Sequence, residues 1–350
     1  MNVDVVTMPD FFLDHSVEYP HDANSLAKRL ITVAATGGGE IPDVPQQLDI
    51  GGNAAICSLA LSRLGANVHL VMKTNRLGML LLQYFCDDFD LDLSHVRTNG
   101  DFSPTIILEM GHGKRVANVM FGESRGASDL GFEDLQGEDL DLLSSAHFVC
   151  VFNWLYNRKG TELAEGVFKY CKENSSALTF FDPADPWPRR RELPDLLKKI
   201  LRKDLLDHLA LNGNEAMLFA RILCKTRKAH GRNLSGALEA GRTISERTPT
   251  KVYVHTTECS ASFNNGRSSI APCFDVRVAR GTGAGDSWNA GILIAERMGL
   301  EEDEKLLFAN AIAARYISRP DRTYATMSDM VKFLREPRHT LKHLPQPLKS

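Results

Sequence analysis

Apolar and polar residues recur along the chain with two different periods, and segments of the two kinds follow one another. Continuous apolar runs predict buried strands at residues 68–72, 146–152, 178–181, 209–211 and 251–254. Segments with an apolar residue every three or four positions predict helices at residues 54–64, 78–89, 161–172, 214–224, 286–298 and 302–317. Strands that alternate with helices predict an α/β fold, a three-layer α/β/α arrangement around a mostly parallel sheet.

Two segments, about 10–45 and 100–122, interrupt this order. The first contains short apolar runs and a Gly37-Gly38-Gly39 turn. The second has apolar runs on either side of a glycine-rich stretch at 111–114, which predicts a β-hairpin. We expect the two segments to form a small β-sheet lid inserted in a single domain that covers residues 1–350, because no linker-like stretch divides the chain.

The composition excludes several classes of protein. Lys and Arg number 41 and Asp and Glu 44, for a net charge of −3, which argues against a nucleic-acid-binding protein that relies on bulk basicity. No apolar run approaches the roughly 18 residues of a transmembrane helix, and the N-terminus lacks the features of a secretory signal. We therefore expect a cytoplasmic protein with neither a nucleic acid nor a membrane as its partner.

Cysteine and histidine spacing suggests little metal chemistry. The seven cysteines are irregularly spaced and include no C-x-x-C pair, so we interpret them as reduced thiols, mostly in the core. His339 and His343 lie four residues apart, the spacing of a metal-binding pair on a helix. Because they lie in a proline-flanked tail with no third ligand nearby, we do not expect zinc there.

The segment from Arg280 to Gly291 carries the strongest chemical signal. Gly281, Gly283 and Gly285 allow a tight turn with exposed amides, and the helix that follows adds unpaired N–H donors and a positive dipole end. Such a turn predicts a phosphate site. A carboxylate next to bound phosphate is a poor phosphate ligand, so Asp286 is interpreted as a base that takes a proton from a hydroxyl, or as a metal ligand.

Two other interpretations of this segment remain open. Asp286 could simply cap the helix after a glycine-rich turn. The segment could also be the nucleotide loop of a methyltransferase or dinucleotide enzyme, but that loop normally follows the first strand of its domain, and only 64 residues follow Asp286. A Walker A loop is absent from the sequence.

Four segments together resemble the ribokinase-like (PfkB) carbohydrate kinases. They resemble, in the family's order, the N-terminal di-glycine signature, the Asn-x-x-Glu motif, the C-terminal signature and the helix that lines the adenine pocket, at residues 51–65, 212–215, 283–291 and 308–311. The resemblance spans nearly the whole chain. It implies an ATP-dependent kinase that phosphorylates a hydroxyl of a sugar or sugar-like molecule, with ATP and Mg²⁺ as cofactors and a homodimer formed through the lid.

The resemblance also implies roles for single residues. Asp286 would be the general base, and the amides of Gly283, Ala284 and Gly285 would stabilise the transferred phosphoryl group. Asn212 and Glu215 would hold Mg²⁺ through water. The expected substrate ligands are Asp14, Gly51, Gly52, Asn53 and Arg125. The expected nucleotide contacts are Asn212, Thr256, Gly283, Gly285 and Asn310. For Asp14 and Arg125, ordinary surface positions remain the alternative.

The sequence departs from the family pattern at several positions. Arg280 stands where many relatives have an aspartate that serves a monovalent-cation site, so we expect activity without K⁺. Ile56 and Ala184 replace common asparagines, and the stretch around Thr256 lacks the usual glycines. Because these changes lie at the substrate and nucleotide edges, we expect an unusual substrate or nucleotide preference. The alternatives are a nucleoside kinase of the same fold and a non-catalytic sugar sensor.

Overall fold

A computed structural model describes residues 4–112, 115–122, 129–201, 204–225, 233–279, 282–321, 323–336 and 340–344. The strands are β1 (Asp4–Met8), β2 (Phe12–Asp22), β3 (Gln46–Gly51), β4 (Asn67–Leu70), β5 (Met72–Lys73), β6 (Leu91–Asp92), β7 (Val96–Arg97), β8 (Pro104–His112), β9 (Arg115–Gly122), β10 (Phe148–Phe152), β11 (Leu178–Asp182), β12 (His208–Asn212), β13 (Lys251–His255), β14 (Cys259–Asn264), β15 (Arg267–Pro272), β16 (Phe274–Asp275) and β17 (Thr340–Leu341).

The helices are α1 (Ala23–Ala35), α2 (Asn53–Arg63), α3 (Arg76–Cys86), α4 (Gly137–Ser145), α5 (Gly160–Asn174), α6 (Leu193–Leu196), α7 (Gly213–Leu223), α8 (Leu234–Ser245), α9 (Ala284–Arg297), α10 (Glu302–Ile317) and α11 (Met327–Arg335). A 3₁₀ turn covers Phe132–Asp134, and a π-helical turn covers Leu197–Leu201. Among the described residues, no helix combines the length and apolar character that crossing a membrane requires.

The main sheet has nine strands in the order β15-β14-β13-β12-β11-β10-β1-β4-β6. Seven of them are parallel, and β14 and β15 add an antiparallel edge. This confirms the predicted α/β fold with a mostly parallel sheet. The carboxyl ends of β10 to β13 lie side by side, so the residues that end these strands share one edge of the sheet, where α/β proteins usually bind ligands.

Helices cover both faces of this sheet because successive side chains of a strand point to opposite sides. On β1, Val5 packs in one apolar cluster with α2, α9 and α10, while Val6 packs in the other with α5, α7 and α8. Both valines are fully buried. The inner strands of the sheet are therefore nearly continuous apolar runs in the sequence, and such runs were the basis for the strand predictions.

A second sheet, in the order β3-β2-β8-β9, contains four strands, and β8 and β9 form the predicted hairpin. Its residues alternate between two faces: Asp14, Thr105 and Gly122 are register partners on one face, and His15, Ile106 and Phe121 are register partners on the other. The second face exposes large apolar side chains. Ile106 is 43% exposed and Phe121 59%.

The segment predicted as β structure at 10–45 also contains a helix, α1, which the sequence analysis did not predict. The Asp22 side chain caps this helix by accepting a hydrogen bond of 2.8 Å from the Ser25 amide. None of the thirteen residues of α1 is buried. Leu26, Leu30 and Val33 recur every three or four positions, so the sequence held a helical signal that the prediction of a β segment passed over. The third strand of this sheet, β3, lies just beyond the predicted segment.

Candidate active site

The start of α9 provides a concentrated set of hydrogen-bond donors. Gly283 precedes the helix at φ +79°, a left-handed conformation that favours glycine, and no side chain of the described residues caps the helix start. The amides of Ala284, Gly285 and Asp286 have no acceptor within the helix, because the first turn lacks preceding carbonyls. A Cβ atom at Gly283 would lie 2.5 Å from the Tyr316 hydroxyl oxygen. Amides that converge at a helix start in this way are a geometry that can receive an anion.

Asp286 lies in the first turn of α9 with only 7% of its surface exposed. Its Oδ1 accepts a hydrogen bond of 2.8 Å from Asn53 Nδ2 at the start of α2. Burial raises the pKa of Asp286 well above its ordinary value, and the nearby Asp182 raises it further, while the Asn53 hydrogen bond opposes both effects. A carboxylate with a raised pKa is a better proton acceptor once it is ionised.

A cavity of about 180 Å³ opens on one side of Asp286. Its polar wall comes from the inner face of the second sheet, the start of α2 and the turn before α9, and its apolar wall contains two aromatic rings. The lining residues are Phe12, Asp14, Gly52, Asn53, Ile56, Thr105, Met120, Asn153, Tyr156, Thr282, Gly283 and Asp286. Five of the predicted site residues, Asp14, Gly52, Asn53, Gly283 and Asp286, thus line one cavity. Gly51 packs beneath the Asp14 carboxylate.

Asp10, which the sequence analysis did not single out, organises the start of α2. Its carboxylate accepts hydrogen bonds from the amides of Asn53 and Ala54, at 3.2 and 2.9 Å, and from the side chain of Asn153. Gly52 has φ +96°, and a Cβ there would lie 3.0 Å from the Phe11 Cα. Asp10 and Gly52 therefore fix the direction in which Asn53 reaches Asp286. An aspartate just after a buried strand was the available signal.

Complete burial raises the pKa of Asp10 from 3.8 to about 6. The charged form is thus less favourable in the folded than in the unfolded protein. The contribution of Asp10 to the free energy of unfolding is therefore full below pH 3.8 and is lost as pH rises through 6. We expect Asp10→Asn to be less destabilising at pH 7.5 than at pH 4, by about 2–3 kcal/mol. Urea unfolding of both proteins at the two pH values measures this, and a pH-independent difference would contradict it.

A second cavity, of about 150 Å³, opens on the other side of the same turn. Its wall is mostly apolar and is shared between β13, α9, α10 and the segment around β16. The lining residues are His255, Thr256, Thr257, Cys273, Phe274, Val276, Val278, Ala284, Gly285, Trp288, Asn310, Ala313, Ala314, Ile317 and Lys342. The two cavities meet at the start of α9, since Gly283 lines one and Ala284 and Gly285 line the other.

Two predicted nucleotide contacts line this second cavity with their hydrogen-bonding groups already engaged. Asn310 accepts from Trp288 Nε1 at 2.9 Å and donates to two backbone carbonyls of β15. The Thr256 hydroxyl donates to the Cys259 carbonyl at 2.7 Å. Both residues therefore shape the wall, and Asn310 holds the Trp288 ring. His255, which the sequence analysis did not assign, packs against that ring at a centroid distance of 5.2 Å, and its buried Nε2 has no hydrogen-bond partner among the residues that the structure describes.

The predicted metal pair forms a helix cap at the start of α7. Glu215 accepts from the backbone amide of Asn212 at 2.7 Å and from its side chain at 2.5 Å, and Asn212 Oδ1 accepts from two amides of the first turn. Burial raises the pKa of Glu215 well above its ordinary value, and Asp182 adds to the effect. With these groups engaged by each other, the pair could contact an ion through water, which is the arrangement that the resemblance implies.

Asp182 is the most direct candidate for a cation ligand. It ends β11, is 5% exposed, and accepts from Asn289 Nδ2 at 2.7 Å. Within the described part of the chain, neither Asp182, Glu215 nor Asp286 forms an ion pair, and their charges repel one another. A hard divalent cation such as Mg²⁺ would relieve this repulsion, so the residues present fit the ion.

Some predicted residues lie outside the described part of the chain. They are Arg125, Gly281 and Arg280, together with His339 of the C-terminal histidine pair. The predictions for these residues, including the effect of Arg280 on K⁺, stay predictions.

A family model described as pfkB family carbohydrate kinase matches residues 43–328. A search of curated protein sequences found no match. Solved structures similar to this chain include Arabidopsis thaliana ribokinase complexed with ribose and ATP, at 19% identity and TM-score 0.73, covering 96% of this chain and 100% of that one. The 2-dehydro-3-deoxygluconokinase of Thermotoga maritima has 15% identity and TM-score 0.74, covering 95% and 98%. The adenosine kinase of Sinorhizobium meliloti has 14% identity and TM-score 0.70, covering 94% and 98%. At these identities the structures show a shared fold.

Proposed function

The chain belongs to the pfkB family of carbohydrate kinases, and from this membership we propose that it transfers the γ-phosphate of ATP to a hydroxyl of a sugar or sugar-like molecule, with Asp286 as general base. The observation that carries the proposal is the position of Asp286. It lies at a helix start whose free amides separate two cavities, and its side chain lines one of them. Phosphoryl transfer needs an acceptor hydroxyl and a nucleotide held on opposite sides of one anion-binding point.

In this proposal each group of the site has a separate task. The Asp286 carboxylate accepts the proton of the acceptor hydroxyl, and Asn53 holds the carboxylate in place through its 2.8 Å hydrogen bond. The amides of Gly283, Ala284 and Gly285 donate to the charge that develops on the transferred group. Mg²⁺, held by Asp182 and through water by Asn212 and Glu215, would supply positive charge that offsets the negative charge of the phosphates.

The second sheet supports a role as a lid. Its inner face contributes Asp14, Thr105 and Met120 to the acceptor cavity, so the sheet covers the reacting groups. A cover that excludes water limits wasteful transfer of the phosphoryl group to water. We propose that segments 10–45 and 100–122, with β3, form this lid.

The substrate class follows from the cavity wall only in part. Asp14 and Asn53 offer acceptors and donors for hydroxyl groups, which suits a sugar. The edge-to-face pair of Phe12 and Tyr156, with ring centroids 5.4 Å apart, offers an apolar surface that also suits a nucleoside base. A coupled ADP-release assay over hexoses, pentoses, keto-deoxy acids and nucleosides distinguishes the two. Stabilisation by such a compound without ATP consumption would favour the sensor alternative.

Asp14→Asn tests the acceptor site. We expect the KM for the phosphate-accepting substrate to rise about 10–100-fold, because the substitution removes a charged group that accepts hydrogen bonds from hydroxyls. The KM for ATP should stay near that of the wild type, because Asp14 lines only the first cavity. Glu18→Gln is the matched control: it removes the same charge from the same strand at an exposed position outside the cavity. Equal effects of the two variants would contradict the assignment.

The outer face of the second sheet supports a homodimer formed through the lid. Leu48, Ile106 and Phe121, which are 52%, 43% and 59% exposed, are linked through cross-strand register partners on that face, and Val119 is exposed beside them. Apolar rows of this kind usually mark an interaction surface. Sedimentation analysis should give a dimer for the wild type and a monomer for Ile106→Lys.

Further features of the proposal come from the sequence. We propose a cytoplasmic enzyme, supported by seven free cysteines, of which five are buried. We also propose that exchange of Na⁺ for K⁺ changes the rate little, because Arg280 would repel a monovalent cation. Strong stimulation by K⁺ would contradict this.

A further inference from the structure

Two histidines and an aspartate converge at the edge of the main sheet. His69 of β4 and Asp92 of β6 are register partners in neighbouring parallel strands, and His95 lies in the turn that follows β6. One ligand atom from each residue lies within 4.8 Å of the others. None of the three residues lines either cavity of the candidate active site.

The separations match those of a zinc centre. His69 Nδ1 lies 2.8 Å and His95 Nε2 lies 3.9 Å from the same atom, Asp92 Oδ2. In tetrahedral zinc sites, metal–ligand distances of about 2.0–2.1 Å place neighbouring ligand atoms roughly 3.3 Å apart. The two measured separations lie on either side of that value, so small side-chain rotations suffice to close the site.

The ligand atoms are also oriented by their neighbours. The Ser94 amide donates to Asp92 Oδ1 at 2.8 Å, which leaves Oδ2 for the histidines. His95 Nδ1 lies 2.8 Å from Asp139 Oδ1 on α4, and Asp139 is itself held by the Gln136 amide and Arg97. A carboxylate only accepts, so Nδ1 of His95 carries a proton and Nε2 is the ring atom left for a metal. Carboxylates hold zinc-binding histidines in this way.

The site is open to solvent on one side. The side chains of His95, His69 and Asp92 are 15%, 23% and 37% exposed. An ion can therefore enter, and water can complete a fourth position. This combination of anchored ligands and an accessible face separates the cluster from an ordinary surface ion pair.

We propose that His69, Asp92 and His95 bind one Zn²⁺ ion, with water as the fourth ligand. Two imidazole nitrogens and one carboxylate suit zinc, whereas Mg²⁺ prefers oxygen ligands. The ion takes the place of the proton shared by His69 and Asp92, and that proton is released to solvent. The ion joins β4 to β6 and the following turn. It therefore links the two ends of the chain segment that contains α3 and stabilises the edge of the sheet.

The test uses the untagged full-length chain without nucleotide or Mg²⁺. Zinc is titrated in competition with a chelator, and equilibrium dialysis followed by metal analysis counts the ions bound. We expect one ion per chain and a rise in Tm with zinc concentration. Asp92→Asn and His95→Gln should each weaken binding at least tenfold and abolish the Tm shift, and Asp139→Asn should weaken binding about 10–100-fold by freeing His95.

His147→Gln is the matched control, because His147 Nδ1 lies 3.4 Å from Asp4 Oδ2 with no second histidine in that ion pair. It should bind zinc as the wild type does. Cobalt(II) substituted for zinc should show the visible absorption of nitrogen and oxygen ligation. Equal zinc binding by wild type and His95→Gln, no binding at all, or a sulfur-to-cobalt charge-transfer band would overturn the proposal.

Discussion

Asp286→Asn is expected to lower kcat by roughly 10²–10⁴-fold while the affinity for ATP stays close to that of the wild type. The asparagine keeps the size of the side chain and an oxygen that can accept from Asn53, so the helix start and the nucleotide cavity stay intact. What is lost is the group that takes the proton. Steady-state kinetics give kcat, and nucleotide titration gives the affinity.

Asp207→Asn is a suitable control for this variant. Asp207 is another largely buried carboxylate, which accepts from Thr179 and Lys172 at the opposite edge of the sheet, just before β12. Its substitution should lower stability and leave kcat nearly unchanged. An unaltered kcat in Asp286→Asn would reject the role of general base.

The pH profile gives an independent test of the same role. Asp286 must be ionised to accept a proton, and its raised pKa places the acid limb of kcat above the ordinary range of an aspartate. Asn53→Leu removes a hydrogen bond that lowers this pKa, so the limb should move to higher pH. An acid limb that stays in place in Asn53→Leu would contradict the assignment.

Gly283→Ala is expected to lower kcat by about 10²–10³-fold, the range for the loss of one donor to a developing negative charge. The new Cβ would lie 2.5 Å from the Tyr316 hydroxyl oxygen, so the turn must move and its amides lose their alignment. The left-handed φ of +79° adds backbone strain of roughly 1–2 kcal/mol.

Gly299→Ala separates these two effects. Gly299 follows the other end of α9 at φ +68°, and nothing lies within 4 Å of the position its Cβ would take. Both variants should lose stability in thermal unfolding, since both force alanine into the left-handed region, and Gly283→Ala should lose more because its Cβ also meets the Tyr316 side chain. Only Gly283→Ala should lose kcat, and equal activity of the two variants would remove the anion-binding role from the turn.

The sequence predicted five of the nine strands of the main sheet, β4 and β10 to β13, because their signals are local. A helix such as α5 shows its apolar stripe within fifteen residues, and a strand such as β10 shows its buried run within five. The motif at 283–286 was equally readable, since its glycines and the following helix are neighbours in the chain. Exposed α1 has Leu26, Leu30 and Val33 at helical spacing, but it lies in a segment assigned to β structure, and it was not predicted.

Contacts between distant segments were decided by the tertiary structure. Asn53 and Asp286 are separated by 233 positions, and Asp10 and Asn153 by 143, yet each pair shares a hydrogen bond. No local pattern records such a pair, because the parallel sheet brings its strand ends together only after the whole chain has folded. The convergence of His69, Asp92 and His95 has the same origin.

The sequence alone therefore indicated the layers of the fold, through residue periods, and singled out one glycine-rich turn as a candidate anion site, through neighbouring residues. The tertiary structure decided which carboxylates lie near that turn and that burial and repulsion raise the pKa of Asp286. It also decided that the polar groups of Asn310 and Glu215 form hydrogen bonds within the protein. The physical reason is that burial and charge proximity depend on distances in space, which the order of residues along the chain does not contain.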